Sequence, residues 1–466
     1  MINTNLPPLT SEAARSVSFS AALKFWLKLG FISFGGPAGQ IAIMHQELVE
    51  RRRWISEVRF LHALNYCMLL PGPEATQLAV YIGWLMHGTW GGVVAGALFV
   101  LPGACLLLFL SWIYVRFGNL GPIPGVLFGF KCAVVALVLG AILRIGKRSV
   151  RSFAAFCLAC MAFFLMKFSL TGFPVIILLA ALIGWIGFRF RPDLFGPAAP
   201  AHGVPPITPG SLSPKSGEPG QFPNFLIDDC TPTPDHARIY WPRLIRHAGI
   251  CAVLLAAPLL ALMYWRGYDD TFSVMGRFFT LAAFVTIGGA YAVLPYVTHM
   301  STHVYHWLQR GQMMDGLALG ETTPGPLILV LTFVGFVGAW NVEHTRMGMG
   351  GALLGGIIAT YFTFLPSFML ILLGAPFVES TRGELKVGVV LSAITAAVVG
   401  VIANLALVFG QHVLYPNNHP DFVAAVLVFF SFAVLYWRKW NTVWVLLGCA
   451  GIGLLLDRFH VLQAGN

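Results

Sequence analysis

Charge is what this chain has least of: Asp, Glu, Lys and Arg together make up 10% of its 466 residues, against 57% hydrophobic. A soluble domain carries roughly 25% charged residues, so the chain reads as an integral membrane protein. Alternating ten-residue strand patterns are missing too, which excludes an outer-membrane-type barrel and leaves an all-α helical bundle. No Walker A, GxSxG or HExxH occurs, so neither ATP hydrolysis within the chain nor the familiar hydrolase chemistries have support. Cysteine supplies no site: of eight, only Cys157 and Cys160 form a CxxC, inside FAAFCLACMAFF, with no second pair and no neighbouring His. Buried core thiols account for them, and no cofactor is expected. The opening MINTNLPPLTSEAARS lacks the basic, apolar and small-residue series of a cleaved signal and predicts none.

Long apolar runs, by contrast, recur at 92–115, 246–265, 386–410 and 421–437, close to the ~20 residues that a spanning helix needs. The formal charge of +10 does not point to nucleic acid, because the basic residues cluster beside spans, at Arg51–Arg53 and at Arg144, Lys147, Arg148 and Arg151. Such clusters mark cytoplasmic loops, and the partner they imply is the lipid bilayer. From Phe190 to Pro242 hydrophobicity collapses and 12 of the 29 prolines appear, a polar, extended linker expected on the cytoplasmic side. It divides the chain into 1–189, 190–242 and 243–466.

The outer parts share landmarks at one offset. FISFGGPAG at 31–39 matches FVTIGGAYA at 284–292, and LLPGPEATQ at 69–77 matches TTPGPLILV at 322–330, both 253 residues apart; Trp54 falls on Trp307 and Lys24 on Arg277. FVLPG at 99–103 resembles TFLPS at 363–367 at an offset of 264, which places eleven extra residues in the second part around AWNVEHTRMGMG. An internal duplication is expected, an architecture recurrent among secondary transporters, whose substrate sites lie between the repeats on discontinuous helices.

Pro71-Gly72-Pro73 should end one helix and let another start near Glu74, leaving segments of about 56–70 and 74–87 that are short for full spans. A broken or re-entrant helix follows, and Thr323-Pro324-Gly325-Pro326 repeats it. Irregular backbone at membrane depth must face protein or water, and the helix starting after each turn would aim free N–H groups into the cavity, a natural anion site. Gly35-Gly36 and Gly288-Gly289 permit close backbone approach, with Ser33 and Thr286 offering hydroxyls beside them. Tight packing of small residues is the alternative reading of the glycine pairs.

Glu74 and Glu321 flank the two turns at non-equivalent places; an intramembrane carboxylate is a proton-carrier candidate, although Glu74 could serve only as a helix cap. Lys24 and Lys28 share a helix face, with Arg277 at the place of Lys24, and could draw an anion inward or snorkel to the interface. Lys131 sits within an apolar segment and needs a partner. His299, His303 and His306 have helical spacing, but no Cys accompanies them and the matching positions hold Gln46, Glu50 and Arg53, so an interfacial polar face explains them better than zinc.

FGGP at 34–37, Trp54, LLPGPEATQLAVYIGW at 69–84, IGGAYAVLP at 287–295 and LALGETTPGPL at 317–327 resemble the chromate ion transporter family in its two-domain form. The resemblance spans nearly the whole chain outside the linker and tails. It implies a secondary transporter of the inner membrane that exports chromate on the proton motive force and so confers resistance, with sulfate, an isosteric dianion, as competitor or alternative cargo. It also implies two homologous halves in opposite orientation. The charge pattern alone does not give that orientation: with both basic clusters inside and single spans at 152–168, 172–189 and 246–265, the second half starts as the first did, so either one segment fails to span or the repeats are parallel. Ala290 stands where the first half has Pro37, and Leu327 where it has Glu74, so the halves contribute unequally. A homodimer stands as the candidate assembly. A membrane-embedded enzyme using the three histidines, and a channel or scaffold, are the readings from other classes.

Overall fold

The computed structural model describes residues 17–34, 36–118, 120, 123–168, 172–190, 225–228, 234–380, 388–438 and 440–459. Among these, helices follow one another without a β-strand: α1 (Phe19–Ile32), α2 (Gly36–His45), α3 (Glu57–Leu69), α4 (Glu74–Phe117), α5 (Ile123–Ser149), α6 (Phe153–Lys167), α7 (Phe173–Phe190), α8 (Trp241–Arg266), α9 (Thr271–Val285), α10 (Ala290–His299), α11 (Arg310–Thr322), α12 (Val330–Ser380), α13 (Gly388–Leu414), α14 (Phe422–Tyr436) and α15 (Thr442–Arg458). Among the described residues, six helical segments are long and apolar enough to cross a bilayer. The protein is an all-α, multi-pass membrane bundle. Its helix starts follow local rules: Ser18, Ser56, Ser152, Asp270, Asp421 and Asn441 each accept a backbone N–H of the first turn.

The two longest helices are hairpins. In α4, helical geometry fails at His87 and Gly88, the latter at φ 65° and ψ −159°, a region essentially reserved for glycine. Gly83 then lies against Gly91 and Ala95, and Val80 against Gly92 and Gly96. In a straight helix residues 83 and 95 would stand about 18 Å apart. In α12 the turn is at Gly348, and Gly335 meets Gly355 and Ala359. Small residues let the antiparallel arms touch. Gly348 corresponds to Gly88 at an offset of 260, and Pro366 to Pro102 at 264, so the extra residues of the second part fall on both sides of its turn.

Correspondence at 253 extends well beyond the sequence landmarks. α3 and α11 begin and end at equivalent residues, and each is preceded by a π-helical turn, Gln46–Arg51 and Met300–Val304. Arg53 and His306, neither a glycine, both take a left-handed backbone, at φ 55° and 52°. Gly72 and Gly325 do the same at φ 123° and 101°. α3 and the first arm of α4 fold back on each other around the PGP turn: Arg59, near the start of one, and Tyr81, well along the other, reach the same carboxylate, Glu379.

The two PGP turns meet the other half at their tips. The Gly72 N–H donates to the Thr286 carbonyl at 2.7 Å, and the Gly325 N–H donates to the Ser33 carbonyl at 2.8 Å. A side chain at Gly72 would collide with the Ser367 hydroxyl, and one at Gly103, the position corresponding to Ser367, with the Pro324 carbonyl. Farther out, α6 and α7 pack on α13, while α14 and α15 pack on α5, so the halves interlock. The second arm of α4 runs from Thr89, bonded to His247, to Tyr114, bonded to Asp315. Those 25 residues span about 37 Å, so the bases of the two PGP hairpins lie at opposite ends of it. α8 stands at the periphery against α9 and α12, its apolar window only 6% buried, as a lipid-facing helix would be. Within the linker, Leu226 and Ile227 bond to Arg53, Trp54 and Ser56 backbone, closing a single parallel bridge with Ile55.

Gly83→Leu would place a Cβ 2.5 Å from both the Ala95 methyl and the Gly91 carbonyl oxygen, so it is expected to push the arms apart and destabilise the protein by about 1–3 kcal/mol, seen as earlier thermal unfolding in detergent. In a continuous α4 the same change would meet no opposing arm and leave unfolding unaltered.

Candidate functional site

Inside the junction of the halves lies a cavity of about 150 Å³. Its walls come from the Gly36 and Gly288-Gly289 turns, the ends of the PGP hairpins and one face of α5. Gly36, Gly288 and Gly289 adopt φ of 71°, 85° and 99°, which other residues rarely take. Each turn opens a new helix, α2 or α10, whose first N–H groups lack intrahelical acceptors and whose dipole presents its positive end. A Cβ on Gly36 would meet nothing within 4 Å, and one on Gly289 would sit 3.8 Å from Glu74 Oε1. The carboxylate following the first PGP turn thus lies beside the glycine turn of the other half.

Four formal charges line the cavity: Glu74, Glu321, Arg144 and Arg148. The two carboxylate residues are 4% and 7% exposed, so water alone does not neutralise them. Tyr291, at the start of α10, donates its hydroxyl to Glu321, and Arg144 acts electrostatically on both. Ser392, Thr395 and Thr442 add hydroxyls, of which Thr395 donates to the Leu391 carbonyl of its own helix at 2.7 Å. The walls thus offer cations, helix N-termini and hydroxyls to an anion, and carboxylates to protons.

Of the residues singled out in the sequence, Gly36, Gly288, Gly289, Glu74 and Glu321 come together here. Gly35 lies outside the described residues. Ser33 and Thr286 are fully buried beside the turns, and each hydroxyl donates to a carbonyl of its own helix, Leu29 or Ala282, at 2.6 Å. Pro71, Gly72, Pro73, Thr323, Pro324, Gly325 and Pro326 build the tips rather than the lining, and the Gly72 and Gly325 N–H groups already have carbonyl partners. Lys24 and Lys28 project from the exposed face of α1. Arg277 stays at the head of α9, bonded to the Tyr268 carbonyl at 2.7 Å and stacked 3.7 Å above its ring.

Arg144 and Arg148 supply the cations instead. Their signal was present in the sequence: Leu137, Ala141, Arg144, Ile145 and Arg148 form one face at helical spacing, and all five line the cavity. Read as topology markers, they carried no hint of the interior. The histidines behave as a polar surface group: His299 and His303 stack at 5.2 Å, and His303 contacts Thr302 and Arg310. No cluster of three metal-ligating side chains occurs among the described residues.

With this geometry in view, the comparison with known proteins is decisive on one point. The family model described as chromate transporter matches residues 20–185 and 274–454, most of the chain. The chain belongs to the chromate transporter family. Each matched region carries one glycine turn, one PGP hairpin and one folded-back long helix. Similar family members include a chromate transport protein of Pseudomonas aeruginosa, 29% identical over 96% of this chain and 95% of its own. Another, from Cupriavidus metallidurans, is 26% identical over 97% of this chain and 98% of its own. An uncharacterized transporter of Bacillus subtilis, YwrB, is 30% identical over 27% of this chain and 64% of its own length. No solved structure matches.

Two polar networks brace this family member's hairpins at their bases. Arg59, 4% exposed, donates to Glu379 at 2.7 Å and to the Asp228 carbonyl at 2.8 Å, while Tyr81 donates to the other Glu379 oxygen at 2.5 Å. At the opposite end Tyr114 donates to Asp315 at 2.9 Å and Lys131 lies 3.8 Å from it, which supplies the partner that an intramembrane lysine requires. Glu379→Gln strips the buried Arg59 of its counter-ion and is expected to destabilise the protein by about 3–5 kcal/mol, seen as earlier thermal unfolding in detergent. The apolar double replacement Arg59→Met with Glu379→Leu should lose markedly less.

Proposed function

We propose that this protein is a secondary transporter that exports chromate across the inner membrane, coupled to the proton motive force, and so confers chromate resistance. The observation that carries the reading is the cavity at the meeting of two helix-breaking motifs, where Arg144, Arg148 and the helix N-termini of α2 and α10 face Glu74 and Glu321. A doubly charged tetrahedral oxyanion suits such walls, and chromate is the cargo named for similar full-length proteins. Glu74 and Glu321 are the proton-coupling candidates. The backbone turns at Ser33–Gly36, Pro71–Pro73, Thr286–Gly289 and Thr323–Pro326 shape the site.

Two duplicated halves of opposite orientation form the scaffold in this reading. Support comes from the reciprocal tip contacts and from PGP hairpins whose bases lie about 37 Å apart along α4. Sulfate, of the same shape and charge, is the second cargo to test.

Everted vesicles containing the protein should accumulate chromate when energised and lose that accumulation when the gradient is collapsed; sulfate in excess should compete if the site reads shape and charge alone. Arg144→Gln with Arg148→Gln should weaken chromate transport at least about tenfold, because the pair supplies the cationic side chains of the cavity wall. Lys24→Ala with Lys28→Ala should stay within about twofold, as expected for surface charges screened by solvent. Equal losses in the two variants would move the site to α1.

A further inference from the structure

The four charges of the cavity sum to zero. Arg144 and Arg148 come from α5, Glu74 from the start of α4 and Glu321 from the end of α11. No other half-copy of this set exists: the positions corresponding to Glu74 and Glu321 hold Leu327 and Met68, and α13, whose two ends fall 265 residues after those of α5, holds Phe409 and Val413 in place of Arg144 and Arg148. Among the described residues, the other polar side chains at the cavity or acting on its carboxylates are Tyr291 on α10, Cys67 on α3, Ser149 on α5, Ser392 and Thr395 on α13, and Thr442 on α15. None of these brings a further positive charge.

A dianion that binds to Arg144 and Arg148 therefore brings two negative charges into a neutral, partly enclosed space that already holds two buried carboxylates. Like charges at close quarters in a medium of low dielectric do not stay ionised together; the weaker acid takes a proton. Resting on the transport reading above, we propose that the dianion and a proton occupy this cavity together: the anion takes over the arginines, and one of Glu74 and Glu321 binds a proton as the anion's charge enters. Binding is then positively cooperative, and by linkage each ligand strengthens the other by the same factor.

The sense of coupling follows. Protons that bind with the anion cross with it, in the same direction. A dianion accompanied by one proton leaves as a single net negative charge, which a negative-inside potential expels while the pH gradient resists. Accompanied by two protons it carries no net charge, and the potential has no hold on it. Export therefore rests on the electrical part of the proton motive force and on the loading of one carboxylate rather than both.

The test uses the purified full-length protein in detergent, weakly buffered with an indicator dye, at alkaline pH where chromate is wholly the dianion. Adding chromate should raise the pH, with about one proton taken up per chromate bound, and the affinity should fall about tenfold for each unit by which the pH is raised. Glu74→Gln with Glu321→Gln should bind chromate without proton uptake and without that pH dependence. Proton release, or binding with neither uptake nor pH dependence, would overturn the cooperative scheme and leave the transport reading standing. Undiminished uptake in the double variant would remove these two carriers. Failure of the wild-type protein to bind chromate at any pH would remove the transport reading as well. Should the double variant not fold, the wild-type proton count and the single Glu321→Gln variant decide the matter.

Discussion

Two backbone hydrogen bonds hold the centre of this protein. The amide of Gly72 reaches the carbonyl of Thr286, and the amide of Gly325 reaches that of Ser33. Backbone that leaves the helix within a membrane has no water to turn to, and an unsatisfied group there costs several kcal/mol. Each half breaks its helices in two places, and each break is satisfied by the other half's break. The glycines follow from that exchange: only a residue without a side chain fits the left-handed turn under Ser367 or beside Gly103. The cavity is a by-product of the same geometry, because the glycine turns that offer their carbonyls to the tips also start α2 and α10 facing inward.

Electrostatics then distinguishes the halves that the backbone makes alike. The turns, tips and hairpins have counterparts, but the charged lining is supplied once, with α5, α4 and α11 contributing and α13 giving only hydroxyls. A near-symmetric frame thus surrounds an asymmetric charge set.

Much of the frame was legible in the sequence. The offset of 253 between LLPGPEATQ and TTPGPLILV reappears as α3 and α11 with equivalent ends, and the helix expected over 74–87 stops at His87. The insertion expected around AWNVEHTRMGMG contains the Gly348 turn. The fold-back of α4 was less legible, since Gly83, Gly91, Gly92 and Gly96 serve equally well for packing between separate helices. The cations were hardest. Lys24, Lys28 and Arg277 attracted notice through proximity in sequence to the glycine turns, yet the α1 and α9 faces that carry them turn outward. Arg144 and Arg148 sit a hundred residues from either turn, and only the packing of α5 across the junction brings them in.

The exchange at the tips also bears on how the chain is made. Gly72 emerges from the ribosome 214 residues before Thr286. At about 5–20 residues per second that is roughly ten to forty seconds during which the first hairpin lacks its acceptor. A tip carrying a bare amide is poorly suited to lipid for so long. The nascent first half must wait in a sheltered or shallow position, and final insertion of its hairpin is set by the arrival of the second half rather than by its own synthesis.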